Sequence, residues 1–405
     1  MLNIPGQWRA KLMKVMGTPP KREIDSMLRY FSLVSDIKTA GLTLRRAQWN
    51  YAMVFATKYA HRASTQEMES ALRLWKKMER EAMIPGNDVT FNVLFDVATK
   101  AGNFTLAEMI HQEMEKRGIE FNRFHHVSLI HYFGLKQDSA GVRAAYRDMV
   151  DSGEMIDTVA LNCVISGLLR CGEESAAEET YRRMKNGNTP APEMPERDYM
   201  SSKMMTRVLM MFTKVTKRHP EMKEMLQTNI QLAPNIRTYR LLVDHYAIKV
   251  GDLGKVAQYL DEMKYLKIQI HPTIFLALFK GFYAHGGYQG TEWSEQRLNG
   301  VLSALFQAHD EHAKGLKIER WLAIWILRAV KKCSGSAEAV TETFDKLSMR
   351  WDIPADRQPF MHSLLESIVQ NKDLASEDGK WPTSLYGGRS ISKARGIVSK
   401  SLGDL

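Results

Sequence analysis

Cysteine is scarce in this chain: three residues in 405, Cys163, Cys171 and Cys333, none of them in a CxxC or another metal-ligand spacing. Cys163 and Cys171 stand eight apart within one predicted helix and cannot bridge each other, so the pattern reads as buried thiols in a reducing compartment rather than a disulfide framework. Long apolar runs are missing too. None reaches the ~18 residues of a membrane helix, which excludes a helical span. GxGxxG, a P-loop GK[ST], GxSxG and HExxH are all absent, and no acid cluster of the kind a metal-dependent nuclease needs follows residue 350. These absences argue for a protein that binds rather than catalyses, with no cofactor and no metal. "HDEH" at 309–312 places two histidines at i, i+3 but offers no third ligand, and His125, His126 and His131 read as a helix surface or as rings that stack against a nucleic acid.

Acid is missing from the first 22 residues, which carry Arg9, Lys11, Lys14, Lys21 and Arg22 before Glu23. That balance suits a mitochondrial targeting segment, whereas the absence of serine and the Pro19-Pro20 pair suit an ordinary basic arm; both readings stand. Over the whole chain the formal charge is +10, which favours a polyanionic partner and puts nucleic acid first.

What is present is a period. Met114, Met149 and Met184 stand 35 residues apart, Gly118 and Gly153 stand 35 apart, and Asn122 is matched by Asp157 at the same distance; Ala107, Val142 and Ala177 keep that step. Landmarks in register without shared letters are the mark of an internal repeat. Within one period, Phe91, Leu94, Val97 and Ala98 make one helical stripe, and Leu106, Met109, Ile110 and Met114 make a second after Ala101-Gly102-Asn103. Each helix is too short to stand alone and must bury its stripe against its partner and the neighbouring pairs. The expectation is an all-α solenoid of antiparallel helical hairpins. Residues 1–45 form a basic N-terminal arm and leading helix. Seven to eight units fill 46–350, with a proline-bearing insertion at 186–197 followed by a degenerate unit at 198–234 that Pro234-Asn235 ends, and 351–405 hold a C-terminal helix and a basic mobile tail.

"DVTFNVLFDVATKAGNFTLAEMIHQEMEKRGIEFN", residues 88–122, resembles a pentatricopeptide repeat: 35 residues, a Thr-aromatic-Asn start, Lys-Ala-Gly at the turn, and a Met followed by Gly-Ile toward the end. The tetratricopeptide repeat has a period of 34 and a W-LG-Y pattern that this chain lacks. The resemblance implies a superhelix whose first helices line a groove for single-stranded RNA, each base being read by a polar residue in the first turn of the first helix together with the closing residue of the repeat. Carried onto matching positions, the base-contact residues are Asn92 with Asn122, a pair similar to the family's pyrimidine-reading combination, and then Asn50, Asn162 and Asp157. Val89 and Val159, just ahead of two of these asparagines, are implied to sandwich bases.

One test of the groove is independent of the family. Lys58, Lys100 and Arg170 each lie eight residues after Asn50, Asn92 and Asn162, two helical turns on and close in direction, placed to meet phosphate. The unit starting at 123 loses both members together, with Val127 and Leu135 in their places. Asparagine at a helix start is also a common cap; the paired gain and loss favours the groove. Arg240 and Leu276 occupy the base-reading place further on, so a base-by-base code erodes toward the C-terminus. The resemblance implies a mitochondrial matrix protein that supports transcript stability, processing or translation on messenger or ribosomal RNA. The rival is a protein-interaction scaffold: a mitochondrial ribosome component or a respiratory-complex assembly factor.

Overall fold

The computed structural model describes residues 3–20, 24–58, 65–186, 199–230, 232–311, 316–351 and 358–370. The expected insertion lies outside these from residue 187 on, as does the basic tail. The described residues are helical, without a strand, and the chain divides into two compact units between Leu232 and Ala233.

The first unit opens with α1 (Gly6–Gly17) and α2 (Ile24–Thr39), which pack on α3 (Arg46–Lys58). Met13, Met27, Tyr30, Phe31, Met53 and Phe55 form a shared core there. Four hairpins follow: α3 with α4 (Thr65–Lys76), α5 (Asp88–Lys100) with α6 (Phe104–Lys116), α7 (Arg123–Leu135) with α8 (Ser139–Asp151), and α9 (Thr158–Arg170) with α10 (Glu174–Asn186). The first helices α3, α5, α7 and α9 lie side by side in one row.

The 35-residue step is a step between backbone events. Met83, Gly118 and Gly153 close successive hairpins with φ of 54°, 62° and 78°, and Gly102, Gln137 and Gly172 turn the chain between paired helices with φ of 75°, 58° and 75°. Each left-handed residue ends a helix and redirects the chain. The next helix begins at once on a side-chain cap: Asn87, Asn122 and Asp157 for α5, α7 and α9, and Asn103 and Asp138 for α6 and α8. Met78, Met114, Met149 and Met184 and, seven residues before the last three, Ala107, Val142 and Ala177 are buried in the hairpin cores. The letters between these points are free to vary so long as the stripe stays apolar.

Gly134 on α7 sets the spacing of the row, because a Cβ there would lie 2.8 Å from the Cα of Gly167 on α9. The repeat expected at 198–234 is instead one long helix, α11 (Tyr199–Arg218), a single 3-10 turn and the short α12 (Lys223–Thr228). These hold the α8–α9 turn: Thr216 Oγ1 donates to the Gly153 carbonyl at 3.2 Å, Lys223 Nζ to that of Val150 at 2.6 Å, and the Gln227 amide spans both backbone groups of Ile156 at 2.9 Å.

The second unit repeats the scheme with α13 (Ile236–Asp244, continued by a π turn over His245–Val250), α14 (Leu253–Tyr265), α15 (Pro272–His285), α16 (Glu295–Asp310), α17 (Arg320–Ser334), α18 (Ala337–Ser348) and α19 (Gln358–Val369). Its first helices α13, α15 and α17 are adjacent. Trp293 is buried over Gly281 and donates its Nε1–H to the Gly251 carbonyl at 2.8 Å, tying the α16 entry to the turn before α14.

Candidate nucleic-acid interface

The row α3, α5, α7, α9 places Asn50, Asn92, Val127 and Asn162 at one register, in the second turn of each helix or close to it. Asn50 and Asn162 are buried, and Asn92 is half-buried. Asn122 caps α7: its Oδ1 accepts from the backbone N–H groups of Phe124 and His125 at 3.0 and 3.3 Å, and its Nδ2 donates to Asp88 at 2.9 Å. With that oxygen fixed by the cap, the Asn92 atom facing it at 3.2 Å must be Nδ2. The remaining Asn92 oxygen then faces His125 Nδ1 at 3.2 Å, so that nitrogen carries the hydrogen. His125 Nε2 in turn accepts from His111 Nδ1 at 2.9 Å.

His125 sits in a stack with Phe121 and His111, at centroid distances of 4.3 and 5.1 Å. Burial, with His111 and His126 nearby, pushes its pKa down to about 3, so the neutral tautomer needed by the chain of hydrogen bonds is the one present at ordinary pH.

The sequence did not single out a closing residue for Asn50; the structure supplies Asn87. Asn50 Nδ2 donates to Asn87 Oδ1 at 3.1 Å, and Asn50 Oδ1 accepts from Thr90 Oγ1 at 2.8 Å. Asn50 and Asn87 are 37 residues apart where Asn92 and Asn122 are 30 apart, because this hairpin has a longer turn. Counting 35 back from Asn122 would have found it. The same count from Val89 or Val159 reaches Phe124, also missed: the three are exposed at 44%, 41% and 50%, a row of apolar side chains left out of the core at the same step.

Asp157 is placed differently from Asn122. It caps α9 by accepting from Ala160 N–H at 2.9 Å, and it forms a buried ion pair with Arg123, which also donates to the Met155 carbonyl at 2.7 Å. Val127 lies at the Asn92 register on that neighbouring helix.

Of the expected phosphate contacts, Lys58 ends α3 and its side chain lies outside the described residues. Lys100 is half-exposed and pairs with Asp96 at 2.7 Å. Burial holds the His131 imidazole on α7 below its ordinary pKa, and the charges of Arg170 and Lys100, from the helices on either side, add to that. The ends of α5 and α9 thus bring two cations toward one place on the row. Among the described residues no group of three or more metal-ligating side chains occurs, and no helix is long and apolar enough to cross a membrane.

A family model for the PPR repeat matches residues 89–119 and 159–188, the stretches that hold the hairpins α5–α6 and α9–α10. Similar solved structures include the pentatricopeptide repeat protein PPR10 in complex with an 18-nt psaJ RNA element, at 16% identity over 100% of this chain and 51% of that one, with a TM-score of 0.46. A cysteine-to-serine variant of that complex gives the same figures. PPR10 from maize aligns at 16% identity over 94% and 57%, with a TM-score of 0.32. The chain spans about half the length of these proteins. No curated protein matches it.

Proposed function

We propose that this chain, two of whose hairpins match the pentatricopeptide model, binds single-stranded RNA along the row α3, α5, α7 and α9 without performing chemistry on it. The observation that carries the reading is the exposed trio Val89, Phe124 and Val159. A folded solenoid has every reason to bury such side chains, yet three successive hairpins keep them at the surface, Val89 and Phe124 just after the caps Asn87 and Asn122 that pair with Asn50 and Asn92, and Val159 just after Asp157. Apolar side chains spaced by one hairpin can cover the faces of bases, while the amides offer a donor and an acceptor to base edges. Lys100 and Arg170 supply charge for the backbone, as does Lys58 by register. In this reading the protein works in the mitochondrial matrix, on a transcript whose stability, processing or translation depends on being bound.

A protein partner is the second reading, and α11 favours it: Met200, Met204 and Met211 are exposed, and methionine-rich faces suit adaptable protein contacts.

The test is the salt dependence of binding to a pool of short single-stranded RNAs, wild type against Lys58→Ala/Lys100→Ala/Arg170→Ala. Each phosphate contact on a single strand contributes ~0.7 to the slope of log affinity against log salt, so the triple variant should flatten it by about 2. Tight binding with an unchanged slope would move the RNA to another surface. No binding at low salt would sink this function and leave the protein scaffold.

A further inference from the structure

We infer that Thr90 and His125 are positioning residues that hold the side-chain amides of Asn50 and Asn92 in one orientation, and so determine which base each asparagine accepts; this rests on the RNA reading above. The two sites have the same construction from different letters. In each, the first-helix asparagine donates Nδ2–H to the cap asparagine of the next hairpin, Asn87 or Asn122. In each, its Oδ1 accepts a hydrogen from the third residue of the helix that this cap begins, the Thr90 hydroxyl at 2.8 Å or the His125 imidazole at 3.2 Å.

An unconstrained carboxamide can rotate by half a turn and exchange N–H for C=O, presenting either order to a base edge. Fixed at both atoms it presents one order. Each amide still has a second N–H and a second oxygen lone pair, so holding it does not consume its capacity to pair with a ligand.

The third hairpin loses the whole arrangement at once. Val127, Asp157 and Ala160 stand where Asn92, Asn122 and His125 stand, and Asp157 is engaged with Arg123. Thr90 and His125 thus each face an amide of the preceding hairpin, whereas Ala160 faces the Val127 hairpin, where there is none. Each of the two is itself held: His125 Nε2 accepts from His111, which selects the tautomer with hydrogen on Nδ1, and Thr90 Oγ1 accepts from the Asn87 backbone N–H at 3.1 Å.

The experiment is in vitro selection from a randomised single-stranded RNA pool with the full chain, followed by affinity measurements on the selected sequence and its single-base variants. Thr90→Val removes one donor, with Thr90→Ser restoring it. His125→Phe removes the other while keeping an aromatic ring in the stack with Phe121. The expected result is that each of Thr90→Val and His125→Phe lowers discrimination at one base, a different base for each, by about fivefold, the equivalent of one hydrogen bond. Affinity for the preferred RNA should change by less, and Thr90→Ser should discriminate as the wild type does. Thermal melts identify a variant that has lost its fold; the Thr90 pair then carries the test if His125→Phe fails, and His125→Phe if Thr90→Val fails. Retained discrimination in folded variants overturns the positioning role alone, as does a wild type that binds RNA without base preference. A wild type that does not bind overturns the RNA reading and the positioning role with it.

Discussion

Replacing Asp157 with asparagine isolates what the buried ion pair between α7 and α9 is worth. Asp157 and Arg123 are each 7% exposed, so the charge left on Arg123 after Asp157→Asn has almost no access to water. Removing one partner of such a pair costs ~3–5 kcal/mol, most of it the desolvation of the survivor. Asparagine can still cap α9, so the cap adds little to the loss; Asp157→Ala gives up the cap as well, a further ~1 kcal/mol. Converting Arg123 to methionine in the Asp157→Asn background removes the stranded charge and leaves the loss of the hydrogen bond to the Met155 carbonyl, about 1 kcal/mol. The double variant should thus be more stable than Asp157→Asn by ~2–4 kcal/mol. Stability in a repeat array is a sum of local terms, so hydrogen exchange of the α7 and α9 amides, read by mass spectrometry, is the measurement that resolves it. Equal protection in the single and double variants would refute the account, because it would mean that the stranded charge finds water and that the pair is not buried in solution.

Three further outcomes are expected. Gly134→Ala should destabilise α7 against α9 by ~1–3 kcal/mol, since a Cβ there lies 2.8 Å from backbone and cannot be relieved by turning a side chain; chemical denaturation with the α7–α9 amides as reporters checks it. Gln137→Gly should stabilise the protein by about 0.5–1 kcal/mol, because Gln137 holds φ of 58° where the neighbouring repeats use glycine, and the gain exceeds the added freedom of the unfolded chain; a rise in melting temperature reads it. Acid should weaken α5–α8 through His125. Its pKa in the fold is about 3 against 6.5 unfolded, so between pH 6.5 and 3 the unfolded chain binds the extra proton and stability falls as pH falls. The difference between wild type and His125→Phe should change by ~1.4 kcal/mol per pH unit in that window and stay constant above pH 7. A flat difference across the window would place His125 in contact with water.

The hairpins were legible in the sequence because what defines them is local. Gly118, Gly153, Gly102 and Gly172 are residues that adopt positive φ without cost, and Asn122 and Asp157 cap the helix that begins beside them. Met83 and Gln137 show the limit of that reading: they take the same left-handed conformation with side chains that do not announce it, and only their place in the period marks them. The pairing of Asn92 with Asn122 was implied by the family resemblance rather than by the period, and the two side chains do meet. Asn87 was missed because the longer turn of its hairpin changes the separation from Asn50 while leaving the spatial relation intact; its register with Asn122, 35 residues on, was the signal that could have found it. The segment after the insertion read as a degenerate repeat, yet α11 and α12 are held by carbonyls of the α8–α9 turn, partners more than fifty residues away in sequence.

By itself the sequence determined the all-α class and the 35-residue step, since apolar spacing, caps and left-handed turns act over a few residues; the inward faces it gave only in part, because Met109, expected in the stripe of α6, is 60% exposed, and His125 and His126, expected on a helix surface, are buried. Tertiary structure alone decided the chemistry of the row. Whether an asparagine is held by a threonine, by a histidine or not at all, and whether Asp157 faces a ligand or a buried arginine, depends on which side chains of neighbouring helices come within hydrogen-bonding distance. Hydrogen bonds and ion pairs are short-ranged and directional, so their partners are chosen by packing between hairpins, which the spacing along one chain does not record.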